Sequence, residues 1–136
     1  MASTTEYFDH VLILYRSVCA SVNLVMRDGR PERALLKLNA RSGDFDLYIS
    51  EIVFPNELRK YAYYVLRQKK VIAGFDNAPD PEMLKLKYGP EYVQHRLEPL
   101  PHMHGVDKMT ATLMDCMDAE QFLAWVQTNL ALRVDS

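Results

Sequence analysis

The sequence predicts an α+β domain, an antiparallel meander sheet of about five strands packed against N- and C-terminal helices. Three observations predict it. Apolar residues recur at helical spacing at both ends of the chain, the middle alternates with a period of two, and short turn signals separate the alternating runs. The helices would carry one apolar stripe each, and a single sheet face can bury both.

The elements follow in order. Ser3-Thr4-Thr5-Glu6 is a capping-box pattern, and Tyr7, Val11, Leu14 and Val18 continue it as a helix from about Thr4 to Val18. Val22, Leu24 and Met26 then alternate with their neighbours, Asp28-Gly29 supplies a turn, and Ala34 to Leu38 returns as the second strand of a hairpin. Arg41-Ser42-Gly43-Asp44 is the next turn signal, and Phe45 to Phe54 is a strand broken by Pro55-Asn56. Leu58 to Arg67 is a further strand, joined through a tight Gln68-Lys69 turn to Lys70–Phe75. About 76–105 the chain is expected to be irregular, because it holds five of the seven prolines, with one helical turn over Met83–Tyr88. Thr110–Met114 is a candidate last short strand, and Asp118 fits the N-cap of a final helix carrying Phe122, Val126 and Leu130.

Length and composition bound the function. A chain of 136 residues, 49% apolar and 25% charged with a net charge of −2, suits one domain spanning 1–136 and argues against global disorder. No apolar run approaches the roughly 20 residues that span a bilayer, and the start has no basic n-region, so a cytoplasmic protein without a membrane association is expected. Cys19 and Cys116 form no C-x-x-C pair and are read as reduced and buried. The charge is uneven. Residues 56–70 carry five cations, Arg59, Lys60, Arg67, Lys69 and Lys70, against Glu57 alone, whereas 106–136 is net acidic. A basic band beside an acidic end could orient a polyanion, or could be two solvated faces.

Two segments carry chemistry. The strand ending at Phe75 exits through Asp76-Asn77-Ala78-Pro79, and the proline-rich stretch closes with Pro101-His102-Met103-His104-Gly105. If the second piece is extended, His102 and His104 lie on one side, so that Asp76 and at least one imidazole are expected within hydrogen-bonding reach. On spacing alone Asp76-Asn77 also reads as a turn stabiliser, and the histidines as surface residues.

The order of these features, with the Tyr61-x-Tyr63 strand before Asp76-Asn77-Ala78-Pro79, Pro81 and Pro101-His102-x-His104, resembles the TumE-type toxin family of type II toxin–antitoxin systems. The resemblance covers roughly 45–132. Asp80-Pro81 and Met103 stand where the family carries histidines, and the segment between the two motifs is longer here. The resemblance implies a toxin component neutralised by a helix-turn-helix antitoxin encoded beside it.

The first functional expectation is a small ribonuclease-like protein, metal-independent rather than metal-dependent, in which His102 or His104 serves as acid or base. Asp76 would orient a histidine and Asn77 would donate to a phosphoryl oxygen. Arg59, Arg67 or Lys70 would hold the phosphate, and Tyr61 and Tyr63 would stack bases, worth roughly 1–3 kcal/mol per base. That needs the face shared by Arg59, Tyr61, Tyr63, Val65 and Arg67 to be open. The same alternation allows Tyr61 and Tyr63 to lie under a helix with Tyr64 outside. No cofactor is expected; the alternative is a divalent metal at Asp76, His102 and His104, ranked lower because no cysteine is nearby. The second expectation is a non-catalytic nucleic-acid- or protein-binding module whose Asp/His cluster is structural. RNA is a candidate partner, as is a second copy of the chain meeting strand edges or Met109, Met114 and Met117.

Overall fold

The computed structural model describes residues 3–56, 58–108 and 111–130. Helix α1 (Thr4–Val18) leads into strands β1 (Ser21–Gly29), β2 (Ala34–Ser42), β3 (Phe45–Val53), β4 (Arg59–Arg67) and β5 (Lys70–Asp76). Helix α2 (Pro81–Tyr88) and a 3-10 turn (Gly89–His95) follow, then β6 (His102–His104), β7 (Ala111–Leu113) and helix α3 (Ala119–Asn129). The strands form one antiparallel sheet of seven in chain order, so the α+β class holds and the strand count is larger than expected. The additional pairings come from β6 and β7, each three residues long, which extend the sheet beyond β5. Thr110, where the expected last strand begins, lies outside the described residues. Among the described residues no helix is long and apolar enough to cross a membrane.

The helix starts follow their capping residues. Ser3 Oγ accepts from the Glu6 amide at 3.1 Å, and Asp118 and Gln121 close a reciprocal capping box. Phe8, Val11, Leu12 and Tyr15 form the buried stripe of α1, and Phe122, Leu123 and Val126 that of α3. Both pack on one sheet face, against Leu36, Leu47, Ile49, Tyr63 and Phe75 among others. Tyr63 stacks on Phe122 with ring centroids 5.3 Å apart, and Phe75 meets Trp125 edge-on at 5.0 Å.

Four local expectations are corrected. The first hairpin turns at Arg30–Arg33, where Pro31 presets the backbone, while Asp28 and Gly29 pair within β1. In the proline-rich segment, which packs through Leu84, Tyr88 and Tyr92 on a small core with Met83 and Leu100, the single helical turn expected at Met83–Tyr88 is an α2 of eight residues, because Asp80 caps it and Pro81 occupies its first turn. Cys116 is exposed, unlike the buried Cys19. Met117 belongs to the core and does not offer the expected dimer contact, whereas Met114 is half-buried against that core; Met109 lies outside the described residues.

The covered face also buries a charge. Glu51 is 0% exposed and accepts from Tyr7 and Tyr63 hydroxyls at 2.8 Å and from the Arg59 guanidinium. Arg59 also donates to the Met117 carbonyl at 2.8 Å, and Tyr15 to that of Ala119 at 2.7 Å. Burial first, and then the Glu51 carboxylate, push the Tyr7 and Tyr63 phenols well above their ordinary range, so both remain donors.

Two outcomes test this arrangement. Arg59→Met should cost about 3–5 kcal/mol in urea unfolding, because it leaves a buried carboxylate without its counter-charge, and adding Glu51→Leu should recover most of that loss. In the β4–β5 turn, Gln68 and Lys69 hold φ of 50° and 67°, a left-handed pair that costs side-chain-bearing residues about 1–2 kcal/mol each. Replacing them with Asn-Gly should raise the urea midpoint without changing the slope of the transition.

Candidate functional site

The side chains of interest gather on the other sheet face, away from the terminal helices. Asp76 ends β5 and pairs with His102 of β6, while Gly74 pairs with His104. Residues opposite or two apart share a face, so Asp76, His102 and His104 converge. His102 Nε2 lies 3.2 Å from Asp76 Oδ1, His104 Nε2 lies 3.3 Å from Asp76 Oδ2, and the two Nε2 atoms are 3.0 Å apart. The expected proximity of Asp76 to the histidines is therefore present for both.

Each member is positioned by neighbours. The Tyr64 hydroxyl donates to Asp76 Oδ2 at 2.9 Å, and the Ala78 amide donates to Oδ1 at 3.0 Å. His102 is 2% exposed and directs Nδ1 at the Leu100 carbonyl. The Leu100 amide in turn donates to the Asn77 carbonyl at 3.0 Å, which closes the base of the proline-rich segment beside the site. Nδ1 of His104 is buried with no hydrogen-bond partner among the described residues. Burial first, and then Asp76, raise the Tyr64 phenol above its ordinary range and keep its proton on the donor side.

A β-bulge sets this face. Val65 pairs with Ala73 and Leu66 with Val71, so Ile72 is an extra residue in β5. Beyond it Tyr64 lies opposite Gly74 and reaches diagonally to Asp76. The Tyr64 ring occupies the space over Gly74: a Cβ there would sit 2.3 Å from Tyr64 Cε1.

Asp76 and Tyr64 line a cleft of about 700 Å³ whose apolar walls include Ile52, Leu58, Leu97 and Pro99, with Lys60 also in the lining. Lys108 Nζ stands 4.6 Å from the Tyr64 ring centroid. Lys60 belongs to the basic band of residues 56–70, whereas Lys108 sits in no motif, and Tyr64 and Gly74 are concealed by the bulge.

Other expected site residues are placed elsewhere. Tyr61 and Tyr63 are 4% and 0% exposed under the terminal helices, so their rings are closed to a base. Arg59 turns its guanidinium into the Glu51 network and over the Tyr61 ring, away from any phosphate. Asn77 does not present its amide to the cluster. Its Oδ1 accepts from the Tyr61 amide at 3.0 Å and its Nδ2 donates to the Arg59 carbonyl at 2.7 Å, standing in for a strand pairing. Arg67 and Lys70 are exposed and paired at the far hairpin end of β5. That is roughly 20 Å from Asp76 by the rise of a strand, so they do not join this site.

Comparison with protein-family models, curated proteins and solved structures finds no match for this chain. The arrangement offers a carboxylate and two imidazoles for proton transfer or for ligation of a cation, next to a cleft with two lysines nearby.

Gly74→Ala should displace the Tyr64 ring and break its bond to Asp76. The expected readout is a fall of the raised Tyr64 pKa in a spectrophotometric tyrosine titration, with a far-UV dichroism spectrum that keeps its strand and helix signal.

Proposed function

We propose that this chain is the toxin component of a toxin–antitoxin pair and acts on RNA as a small ribonuclease, with Asp76, His102 and His104 as its reactive centre. The observation that carries the reading is the convergence of these three side chains on one another, with Asp76 also lining the neighbouring cleft. The family resemblance supplies the toxin role and the helix-turn-helix antitoxin as partner.

Cleavage requires three services. The 2′-hydroxyl must lose its proton as its oxygen attacks phosphorus, the bond from phosphorus to the 5′-oxygen must break, and that oxygen must gain a proton. Charge accumulating on the phosphoryl oxygens must also be met by a cation. In this reading the Asp76–His102–His104 centre takes up the 2′-proton, and His104, the less buried imidazole, returns a proton to the departing 5′-oxygen, which leaves the centre as it began. Lys60 and Lys108 supply positive charge on the same face, a role that Arg59 cannot fill from within the Glu51 network. The apolar cleft walls give an unstacked base a surface to rest on in place of Tyr61 and Tyr63.

The test is growth arrest and RNA profiling on expression without the antitoxin. His104→Ala should abolish both arrest and RNA loss while leaving RNA binding intact. Lys60→Ala and Lys108→Ala should weaken binding, and removal of each phosphate-bound cation should flatten the logarithmic salt dependence by about 0.7. The second reading, a binding module, is favoured by the near-complete burial of His102. Arrest retained by folded His104→Ala protein would select it.

A further inference from the structure

We infer that Asp76, His102 and His104 form a binding site for one first-row divalent metal ion. The argument begins with hydrogens. His102 Nδ1 faces the Leu100 carbonyl, which only accepts, so the ring hydrogen belongs on Nδ1. In the neutral ring Nε2 then carries a lone pair. That lone pair points at a carboxylate oxygen 3.2 Å away and at a second imidazole nitrogen 3.0 Å away. The carboxylate only accepts, and the imidazole nitrogen accepts or donates with its tautomer. Without an ion the His104 hydrogen belongs on Nε2, where Asp76 Oδ2 and His102 Nε2 can accept it, because the buried Nδ1 has no partner among the described residues. Three donor groups thus face a common point, and a cation there takes the place of that one hydrogen.

The spacing accommodates a metal as well as a shared proton. Donors about 2.1 Å from an ion and at right angles to one another are about 3.0 Å apart, whereas tetrahedral donors are about 3.4 Å apart. Here the imidazole nitrogens are 3.0 Å apart and lie 3.2 and 3.3 Å from two different oxygens of Asp76, Oδ1 and Oδ2, and one donor atom from each residue lies within 4.8 Å of the others. One carboxylate with two imidazoles occupying one face of an octahedron is an established donor set for iron-like and zinc-like divalent ions, with the remaining positions open to water or substrate. The groups around it are those that such ligands need. A backbone carbonyl fixes the His102 tautomer, and the Tyr64 hydroxyl and Ala78 amide orient the two oxygens of Asp76. Ligand types alone favour a metal-free site; the convergence of the three side chains, with their neighbours in place, reverses that order. Binding of the ion stands on this geometry; the ion would engage the lone pairs that the proposed function uses for proton transfer, so that a role for it in cleaving RNA would replace theirs and rests on that proposal.

The experiment is titration of chelator-stripped, full-length protein with cobalt(II), followed by visible absorption and calorimetry, with zinc competition. One equivalent should bind, with ligand-field bands that zinc removes. His104→Ala should weaken binding at least tenfold with an unchanged dichroism spectrum. Tyr64→Phe keeps all three ligands and should weaken binding about tenfold through the loosened carboxylate, so it carries the test if the histidine variant does not fold. No uptake by the folded parent protein at millimolar cobalt, or equal uptake by parent and both variants, would overturn the assignment. Uptake at this site with RNA left intact on expression would uphold the ion and remove the nuclease reading.

Discussion

A carboxylate held out of water dictates how this domain is put together. Glu51 follows Phe45, Leu47 and Ile49 on the inward face of β3, where an unpaired charge would cost several kcal/mol. Its partners come from other elements: Tyr7 from α1, and Arg59 and Tyr63 from β4. Arg59 then reaches the chain entering α3, as does Tyr61, whose hydroxyl accepts from the Met117 amide at 3.3 Å. The network thus ties both terminal helices to the two central strands. Apolar residues in the same places could pack as tightly, so the contribution of Glu51 lies in uniqueness. A one-residue slip of β3 would bring Glu51 to the outer face and strand Arg59 beneath the helices.

This decides which face can do chemistry. With Tyr7, Tyr15, Tyr61 and Tyr63 spending their hydroxyls around Glu51 and the start of α3, the covered face has no polar group to offer a ligand at those positions. The opposite face is covered only in part, by the segment between β5 and β6. Its return through Leu100 brings His102 to the edge of β5 and supplies the carbonyl that orients that ring. The proline-rich segment therefore acts as a brace for the site. Its internal core of Met83, Leu84 and Leu100 makes the brace stiff.

Much of the fold was legible because its signals are local. The caps at Ser3 and Asp118, the turns at Gly43 and Gln68-Lys69, and the apolar stripes of the helices are each written within a few residues. Strand β6 is too short for alternation to reveal and exists through pairing with β5 and β7, whereas β7 falls within the span expected as a last short strand. In the site, Asp76, His102 and His104 could be found because turn-forming and proline-flanked motifs mark them. For Tyr61, Tyr63 and Arg59 the sequence leaves an open surface and a place under a helix equally available, because strand alternation says which residues share a face but not which face is covered. A signal was present: a lone Glu51 in an otherwise apolar inward set, matched by Arg59 on the next strand, is the pattern of a buried pair.

One inserted residue decides the geometry of the site. Counting back from the Arg67–Lys70 pair with unbroken register would set Asp76 opposite Tyr61, under the helices and beside the aromatic core. With Ile72 as an extra residue, Asp76 pairs with Ala62 and moves to the outer face. The same shift places Gly74, with no side chain, where the Tyr64 ring must cross to reach the carboxylate. It also puts Asp76 in register with His102, since β6 can align only with the face that β5 presents after the bulge. Carboxylate, imidazoles and bracing phenol therefore meet as a consequence of an apolar residue that touches none of them in the hydrogen-bond network. Sequence patterns of period two carry no mark for such an insertion, because Val71, Ile72 and Ala73 are all apolar and any of them could face the core.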